Sequence, residues 1–379
     1  MNIAFYSTMT ALPWGGSEVL WSAVAERLLN DNHDVSICFK HWLNRSPNLN
    51  HLIGKGARLI ERNPPRTRTQ QRLQRWLPRL GLSACLEPSH LNRFLTPAPD
   101  LILISIGYHL DWNSDLQAIT RSGIPYAILV HIAGREPFPD DDTWNNLRAF
   151  YRNATMRCFI SEDNRAIMEE LLCQPMAPYR IVDNPIRTRP ASPLPFPSET
   201  VHSLACIGRL QFASKGHDLL VDALADPFWE DTPIHITFYG EDQDNTAQLK
   251  ARIASKGLDH RFSFGGYRKD AISIYAQHSA LILLSRIEGM PMVTAEAMHC
   301  GRIPIVTACG RNPDWVDDGE TGFLIPDCQR QTIQSTLRRA WEARHQWEVM
   351  GIEAHKRIKT RLPDDPVGDF KNLILSLKP

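Results

Sequence analysis

Short runs of consecutive apolar residues recur along the chain, separated by segments whose apolar positions return every three or four residues. NIAFYS (2–7), DVSICF (34–39), LILISIG (101–107), YAILVHI (126–132) and MRCFIS (156–161) are such runs, the pattern of strands buried on both faces. SEVLWSAVAERLLND (17–31) carries the helical period, with Ser17 placed to cap it. The alternation stops at RTRPASPLPFPSE (187–199), where four prolines and no apolar period read as a linker. It then restarts with SLACIGRL (203–210), HITFYG (235–240), RFSFGG (261–266), ALILLS (280–285) and IPIVTA (303–308). Strands alternating with helices imply parallel sheets covered by helices. The expected class is therefore α/β, with two Rossmann-like doubly wound domains facing across a cleft. The domains are expected at 1–186 and 201–360, with 187–200 between them. Ligands of such sheets bind beyond the C-terminal ends of the strands.

Composition narrows this only a little. With 379 residues the chain is long enough for two ordinary domains, and its 42 basic and 42 acidic residues cancel, so no overall charge points to nucleic acid. The eight cysteines are scattered without a C-x-x-C pair, which suggests neither a zinc site nor a dithiol motif and fits a reducing cytosol. The start, MNIAFYSTMT, reads as a strand and not as a signal peptide, and no apolar run approaches the ~20 residues of a membrane span.

Four stretches carry candidate chemistry. In LSRIEGMPMVTAEAMHCGRIPIV (284–306) a strand leads through the turn RIEG into a helix expected to begin at Pro291 and to end near Cys300, with Gly301 as its C-cap. Gly289 admits close backbone approach by a ligand. The N–H groups around Met290, Pro291, Met292 and Val293 would face an anion such as a diphosphate. Glu288 and Glu296, eight positions apart, are two acceptors suited to hydroxyls at the two ends of one ligand. A structural helix whose Glu296 salt-bridges a neighbour would account for the same residues. In CIGRLQFASKGHDLLVDAL (206–224) Arg209 and Lys215 stand on one loop after a strand and suit a diphosphate; solvated loop charges are the plainer alternative. LPWGGSEVL (12–20) places Gly15 and Gly16 between a strand and a helix, without the G-x-G-x-x-G spacing of a dinucleotide site. ILVHIAGR (128–135) puts His131 at a strand end, where either a substrate contact or a backbone-satisfied core histidine fits.

Together these stretches resemble the retaining glycosyltransferases of the large family containing glycogen synthase-like, sucrose synthase-like and lipopolysaccharide-core transferases. Its fold is GT-B. The resemblance rests on Glu288-Gly289, Glu296-Ala297-Met298 and Gly301 to Pro304; on Gly208-Arg209-Leu210 with Lys215, Gly216 and Leu220; and on Gly15-Gly16-Ser17-Glu18, His131, and Asp318-Gly319 with Thr321, Gly322 and Leu324. It runs from residue 2 to about 326 and is looser in the first domain. It implies that Arg209 and Lys215 hold a nucleotide diphosphate, helped by Gly15, Gly16 and residues 290–293. It implies that Glu296 takes the ribose hydroxyls, that Glu288 holds the transferred sugar, and that His131 touches that sugar near the reacting carbon. Configuration would be retained, through an oxocarbenium-like transition state. The chain departs from the family at Asn184-Pro185 and at GEDQDN (240–245), so the base stays open among UDP-, GDP- and ADP-sugars. Asp242-Gln243-Asp244 imitates a metal-binding D-x-D but reads as a turn, and no cofactor or metal is expected. A helix within 361–379, with 365–377 as the candidate, is expected to pack back on the first domain.

Residues 58–80 carry Arg58, Arg62, Arg66, Arg68, Arg72, Arg75 and Arg79 against Glu61 alone, with Leu73, Trp76, Leu77 and Leu80 at helical spacing. This basic amphipathic pattern suits an anionic membrane surface or an ordinary solvated helix equally. The resulting expectation is a cytoplasmic hexosyltransferase, peripheral on the inner face of the membrane, acting on a glycan or lipid-linked acceptor of envelope polysaccharide or lipopolysaccharide synthesis. Rivals are an epimerase or phosphorylase on the same fold and a nucleotide-sugar-binding protein without activity. A dehydrogenase fits least.

Overall fold

The computed structural model describes residues 1–62, 89–198, 201–241 and 245–377. The chain divides into two compact units, Met1–Pro185 with Asp365–Pro379, and Ile186–Asp364.

The first unit is built on a seven-stranded parallel sheet. Its strands are β1 (Asn2–Ser7), β2 (Asp34–Lys40), β3 (Arg58–Arg62), β4 (Leu101–Ile106), β5 (Tyr126–Val130), β6 (Met156–Phe159) and β7 (Tyr179–Ile181), in the order β3-β2-β1-β4-β5-β6-β7. The order reverses between β1 and β4, which pair Ile3 with Leu101 and Phe5 with Leu103. All six residues of β4 are buried, as the continuous apolar run requires of a strand covered on both faces. The first helix, Val19–Asn30, turns Leu20, Trp21, Val24 and Leu28 inward. Ser17 does not cap it. A 3-10 turn, Gly16–Glu18, intervenes, and the Glu18 carboxylate takes the Gly15 N–H at 3.1 Å. The last helix, Pro366–Ser376, packs on Val19–Asn30 and is pinned by Arg27–Asp365 and Lys371–Asp31, both at 2.6 Å.

β3 overturns the reading of residue 58 onward as a uniformly basic surface stretch. Arg62 is buried, with one guanidinium N–H donated to the Tyr6 hydroxyl at 2.9 Å and another to the Ser7 carbonyl. Glu61 accepts from Arg45 at 2.6 Å and faces His41 at 3.0 Å. Residues 63–80, with the amphipathic part of the pattern, lie outside the described residues. No described helix is long and apolar enough to cross a membrane.

The second unit carries a six-stranded parallel sheet of β8 (His202–Ile207), β9 (Ile234–Tyr239), β10 (Phe262–Phe264), β11 (Ala280–Leu283), β12 (Ile303–Thr307) and β13 (Phe323–Ile325), in the order β10-β9-β8-β11-β12-β13. The reversal falls between β8 and β11, whose pairing sets Ala280 beside Leu204. Residues 187–198 are not a free tether. The buried Arg302 donates to the carbonyls of Leu194 at 3.2 Å and Pro195 at 2.6 Å, and Leu194 N–H reaches Cys300 O at 3.1 Å.

Candidate active site

In the second unit the loops leaving β8 and β11, neighbours at the reversal of strand order, are fitted against each other. Gly216 has φ +61°, and a Cβ there would lie 1.9 Å from the Leu284 carbonyl oxygen. Only glycine permits that approach. On the other side of the β8 loop, a Cβ on Gly240 would lie 2.0 Å from Gly208 O. The loop 208–216 is thus wedged between the ends of β9 and β11, and it carries both expected cations.

Lys215 lays its aliphatic stem over Gly208 and brings Nζ to 2.5 Å from Glu288 Oε1. Glu288 is only 6% exposed, and the same oxygen accepts from Ser285 Oγ at 2.7 Å. The structure therefore joins two residues that the sequence assigned to different parts of a ligand. Arg209 is half-buried at the end of β8, and among the described residues no hydrogen bond or ion pair engages its guanidinium.

The Glu288-Gly289 turn is braced from β12. Gly310, at φ +58°, would place a Cβ 2.3 Å from Gly289 O, and Arg311 N–H donates to that carbonyl at 3.0 Å. The following helix is Met292–His299, starting one position later than the sequence suggested, with Pro291 as its N-cap and not its first residue. Met290 is buried beside it. Thr294 N–H turns back to Pro291 O at 2.9 Å, while among the described residues the N–H groups of Met292 and Val293 find no backbone carbonyl. Those amides stand at the positive end of the helix dipole. The Tyr275 hydroxyl fixes this end by donating to Val293 O at 2.8 Å. Glu296 follows on the same helix, half-buried. Burial pushes its carboxyl up to about 7, opposed by a hydrogen bond with the Thr188 side chain and by the Arg187 charge.

In the first unit, Gly15 and Gly16 lie beyond the end of β1, and Glu18 shapes their loop. Its fully buried carboxylate accepts from Ser7 Oγ at 3.0 Å, Ser17 Oγ at 2.6 Å and Gly15 N–H at 3.1 Å. Burial raises its pKa. His131 sits just past β5, 3% exposed, its N–H donating to Ile106 O at 3.0 Å and its carbonyl accepting from Asn164 Nδ2 at 3.2 Å. Its Nε2 lies 3.1 Å from Ser105 Oγ, which in turn donates to Ser17 O at 3.4 Å. That chain makes Nε2 the protonated nitrogen and leaves Nδ1 a buried acceptor with no partner among the described residues. Burial holds the ring neutral, at about 3. Ser105 thus ties His131 to the Gly15-Gly16 loop, a link between residues 105, 131 and 17 that no sequence spacing announces.

Among the described residues no group of three or more His, Cys, Asp or Glu is placed to hold a metal. Asp242-Gln243-Asp244 lies outside the described residues.

Residues 201–342 match the family model of glycosyl transferases group 1. Over 114 residues the chain is 35% identical to the mannosylfructose-phosphate synthase of Agrobacterium fabrum, a match covering 27% of this chain and 25% of that one. Over 106 residues it is 29% identical to the Vi polysaccharide biosynthesis protein VipC/TviE of Salmonella typhi, covering 28% and 18%. The matched stretch thus spans a quarter or less of each curated relative. The whole fold is shared with Anabaena Alr3699/HepE, solved in complex with UDP, at TM-score 0.73 and 17% identity over 99% of this chain and 100% of that one. It is shared with the lipopolysaccharide outer core galactosyltransferase WaaB at TM-score 0.69 and 19% identity over 99% of both. The sucrose-phosphate synthase of Thermosynechococcus elongatus gives TM-score 0.73 and 16% identity over 100% and 99%. The chain has the GT-B fold of these structures, and the stretch of its second unit from 201 to 342 is similar to glycosyl transferases group 1.

Proposed function

We propose that the protein is a retaining glycosyltransferase that moves a sugar from a nucleotide-diphosphate donor to a hydroxyl of a glycan or lipid-linked acceptor. The single observation that carries this reading is the C-terminal end of the two central strands, β8 and β11, of the second sheet. There Arg209, Lys215 and the amides of Met292 and Val293 leave the ends of neighbouring strands, beside two half-buried or buried carboxylates. As the glycosidic C–O bond breaks, its electron pair passes to the diphosphate oxygen, and preorganised cations and N–H groups stabilise that charge. In this scheme the diphosphate draws Lys215 away from Glu288, and Glu288 turns to the sugar hydroxyls. Glu296 accepts from the ribose. His131, neutral, offers Nδ1 to a sugar hydroxyl, and the acceptor hydroxyl attacks the face from which the diphosphate departs, its proton passing to the departing diphosphate oxygen. No metal step is required, since side-chain cations and helix amides supply the positive charge.

The Vi polysaccharide relative and the lipopolysaccharide outer core transferase WaaB support a polysaccharide or lipopolysaccharide acceptor, and HepE, solved with UDP and with UDP-glucose, makes UDP-sugars the first donors to try. Attachment to an anionic leaflet rests on the arginines beyond Arg62, because Arg58 and Arg62 are engaged within the first unit; absence of binding to anionic vesicles at low salt removes that part. A thermal-shift panel of UDP-, GDP- and ADP-sugars tests the donor, since a ligand of the folded state alone raises the melting point. A donor that shifts the midpoint and is consumed with an acceptor glycan supports transfer. A shift without consumption favours a binding protein, and no shift with any donor removes the reading.

A further inference from the structure

The loop that carries Arg209 and Lys215 is suspended from two sides. On the Arg209 side stands Asn245, whose Oδ1 accepts Phe212 N–H at 2.8 Å and whose own N–H donates to Leu210 O at 3.2 Å. On the Lys215 side stands Arg286, from the loop after β11. Its guanidinium grips both carboxylate oxygens of Asp218 at 2.7 Å and donates to Phe212 O at 2.6 Å, while its backbone N–H donates to Ser214 O at 2.8 Å. One residue is therefore bonded three positions before Lys215, one before it and three after it. Arg286 also lies two residues from Glu288, the present partner of Lys215.

We infer that Arg286 is a positioning residue that fixes where the Lys215 ammonium stands relative to a diphosphate. The inference rests on the proposed diphosphate site. The ion pair with Asp218 does not by itself account for the arrangement, because the same side chain and its own backbone also bond the loop at Phe212 and Ser214. Two of its bonds end on the backbone just before the cation, at Phe212 O and Ser214 O. The guanidinium fork can hold a carboxylate and a carbonyl at once, which an ammonium cannot do with the same geometry. A shift of about 1 Å at a charge-stabilising group costs on the order of a hundredfold in rate, so a residue that only holds a loop still has a large kinetic effect. Asp218 completes the clamp from the first turn of the helix His217–Leu224, and Arg286 keeps its carboxyl below the usual range against the opposing effect of burial.

The test is calorimetric titration of the full chain with UDP, GDP and ADP. Arg286→Ala is expected to weaken the bound diphosphate about tenfold or more, the scale of one displaced charge-assisted contact, with the melting midpoint close to wild type. Arg286→Lys is expected to recover part of the loss. Asp218→Asn loosens the same clamp from the other side and carries the test if Arg286→Ala folds poorly. The decisive comparison is between backgrounds. Added to Lys215→Ala, Arg286→Ala should cost nothing further, whereas its effect should persist in Arg209→Ala. Wild-type affinity in Arg286→Ala and Asp218→Asn overturns the inference, as do losses that multiply in the Lys215→Ala background. Failure of the wild type to bind any of the three diphosphates removes the proposed function and this inference with it.

Discussion

Replacing Lys215 by Met removes the charge that faces a buried carboxylate while keeping a chain of similar length. At 2.5 Å the bare attraction of the pair is about 7 kcal/mol with an effective dielectric constant of about 20. Desolvation of both groups offsets much of it. The side chains are 17% and 7% exposed, so the removal leaves Glu288, among the described residues, with Ser285 Oγ as its side-chain partner and with little water. Breaking one side of a buried pair costs about 3–5 kcal/mol; the partial exposure of Lys215 places the expectation at the lower end, about 3 kcal/mol. Glu288→Gln removes the charge that needs a counterion, and Lys215→Met with Glu288→Gln should recover much of the loss. Equilibrium urea unfolding of the wild type, the two single variants and the double variant gives the interaction energy directly, expected at about 1.5 kcal/mol or more. Single-variant effects that add within about 0.5 kcal/mol would refute the pairing as an energetic unit.

Gly216→Ala should destabilise the second unit by roughly 2–4 kcal/mol, as strain and overpacking do, because its Cβ would meet Leu284 O at 1.9 Å; an unchanged urea midpoint contradicts the fitted loops. Glu296 has a pKa raised from its usual 4.5 to about 7 in the folded protein. The folded state therefore binds more protons between these values, and the contribution to stability is complete below pH 4.5 and lost as pH rises through 7. For a half-buried group this is about 2 kcal/mol at most, so Glu296→Gln should lack that decline between pH 5 and 8, and a decline that persists assigns it to another group. The same titration makes nucleotide affinity rise with pH through 7, since the ionised carboxylate is the better hydroxyl acceptor. The neutral His131, held at about 3, should leave no limb of its own in the rate profile between pH 5 and 9; a limb abolished by His131→Gln contradicts its buried neutral state.

Most strands of the two sheets were legible because they are continuous apolar runs; β7 and β13, three residues each, were too short to carry a pattern. β3 was not legible, because Arg58, Glu61 and Arg62 make a strand look like a charged surface until the partners of Arg62 are known. The site elements could be read from Glu288-Gly289, Pro291 and Lys215-Gly216, each a punctuation mark between strand and helix. Their partnerships could not. Lys215 meets Glu288 across 73 positions and Arg286 meets Asp218 across 68, and such contacts depend on which strands become neighbours. Glu18, and not Ser17, organises the first helix start, because a longer acid side chain reaches back to Gly15 N–H and Ser7 Oγ together. Cys309 and Cys328, scattered in sequence, both point their thiols at Ser285 O, at 3.5 and 3.9 Å.

A diphosphate held at the end of β8 by Arg209 is the central proposal. The most direct measurement is the affinity of wild type and Arg209→Ala for UDP, GDP and ADP by titration calorimetry at low salt. At least one diphosphate should bind the wild type, and loss of the charged bond should weaken it by about ten- to a hundredfold, the equivalent of about 1.5–3 kcal/mol, with the fold intact. Equal affinity in the two proteins, or no binding of any of the three to the wild type, would contradict it.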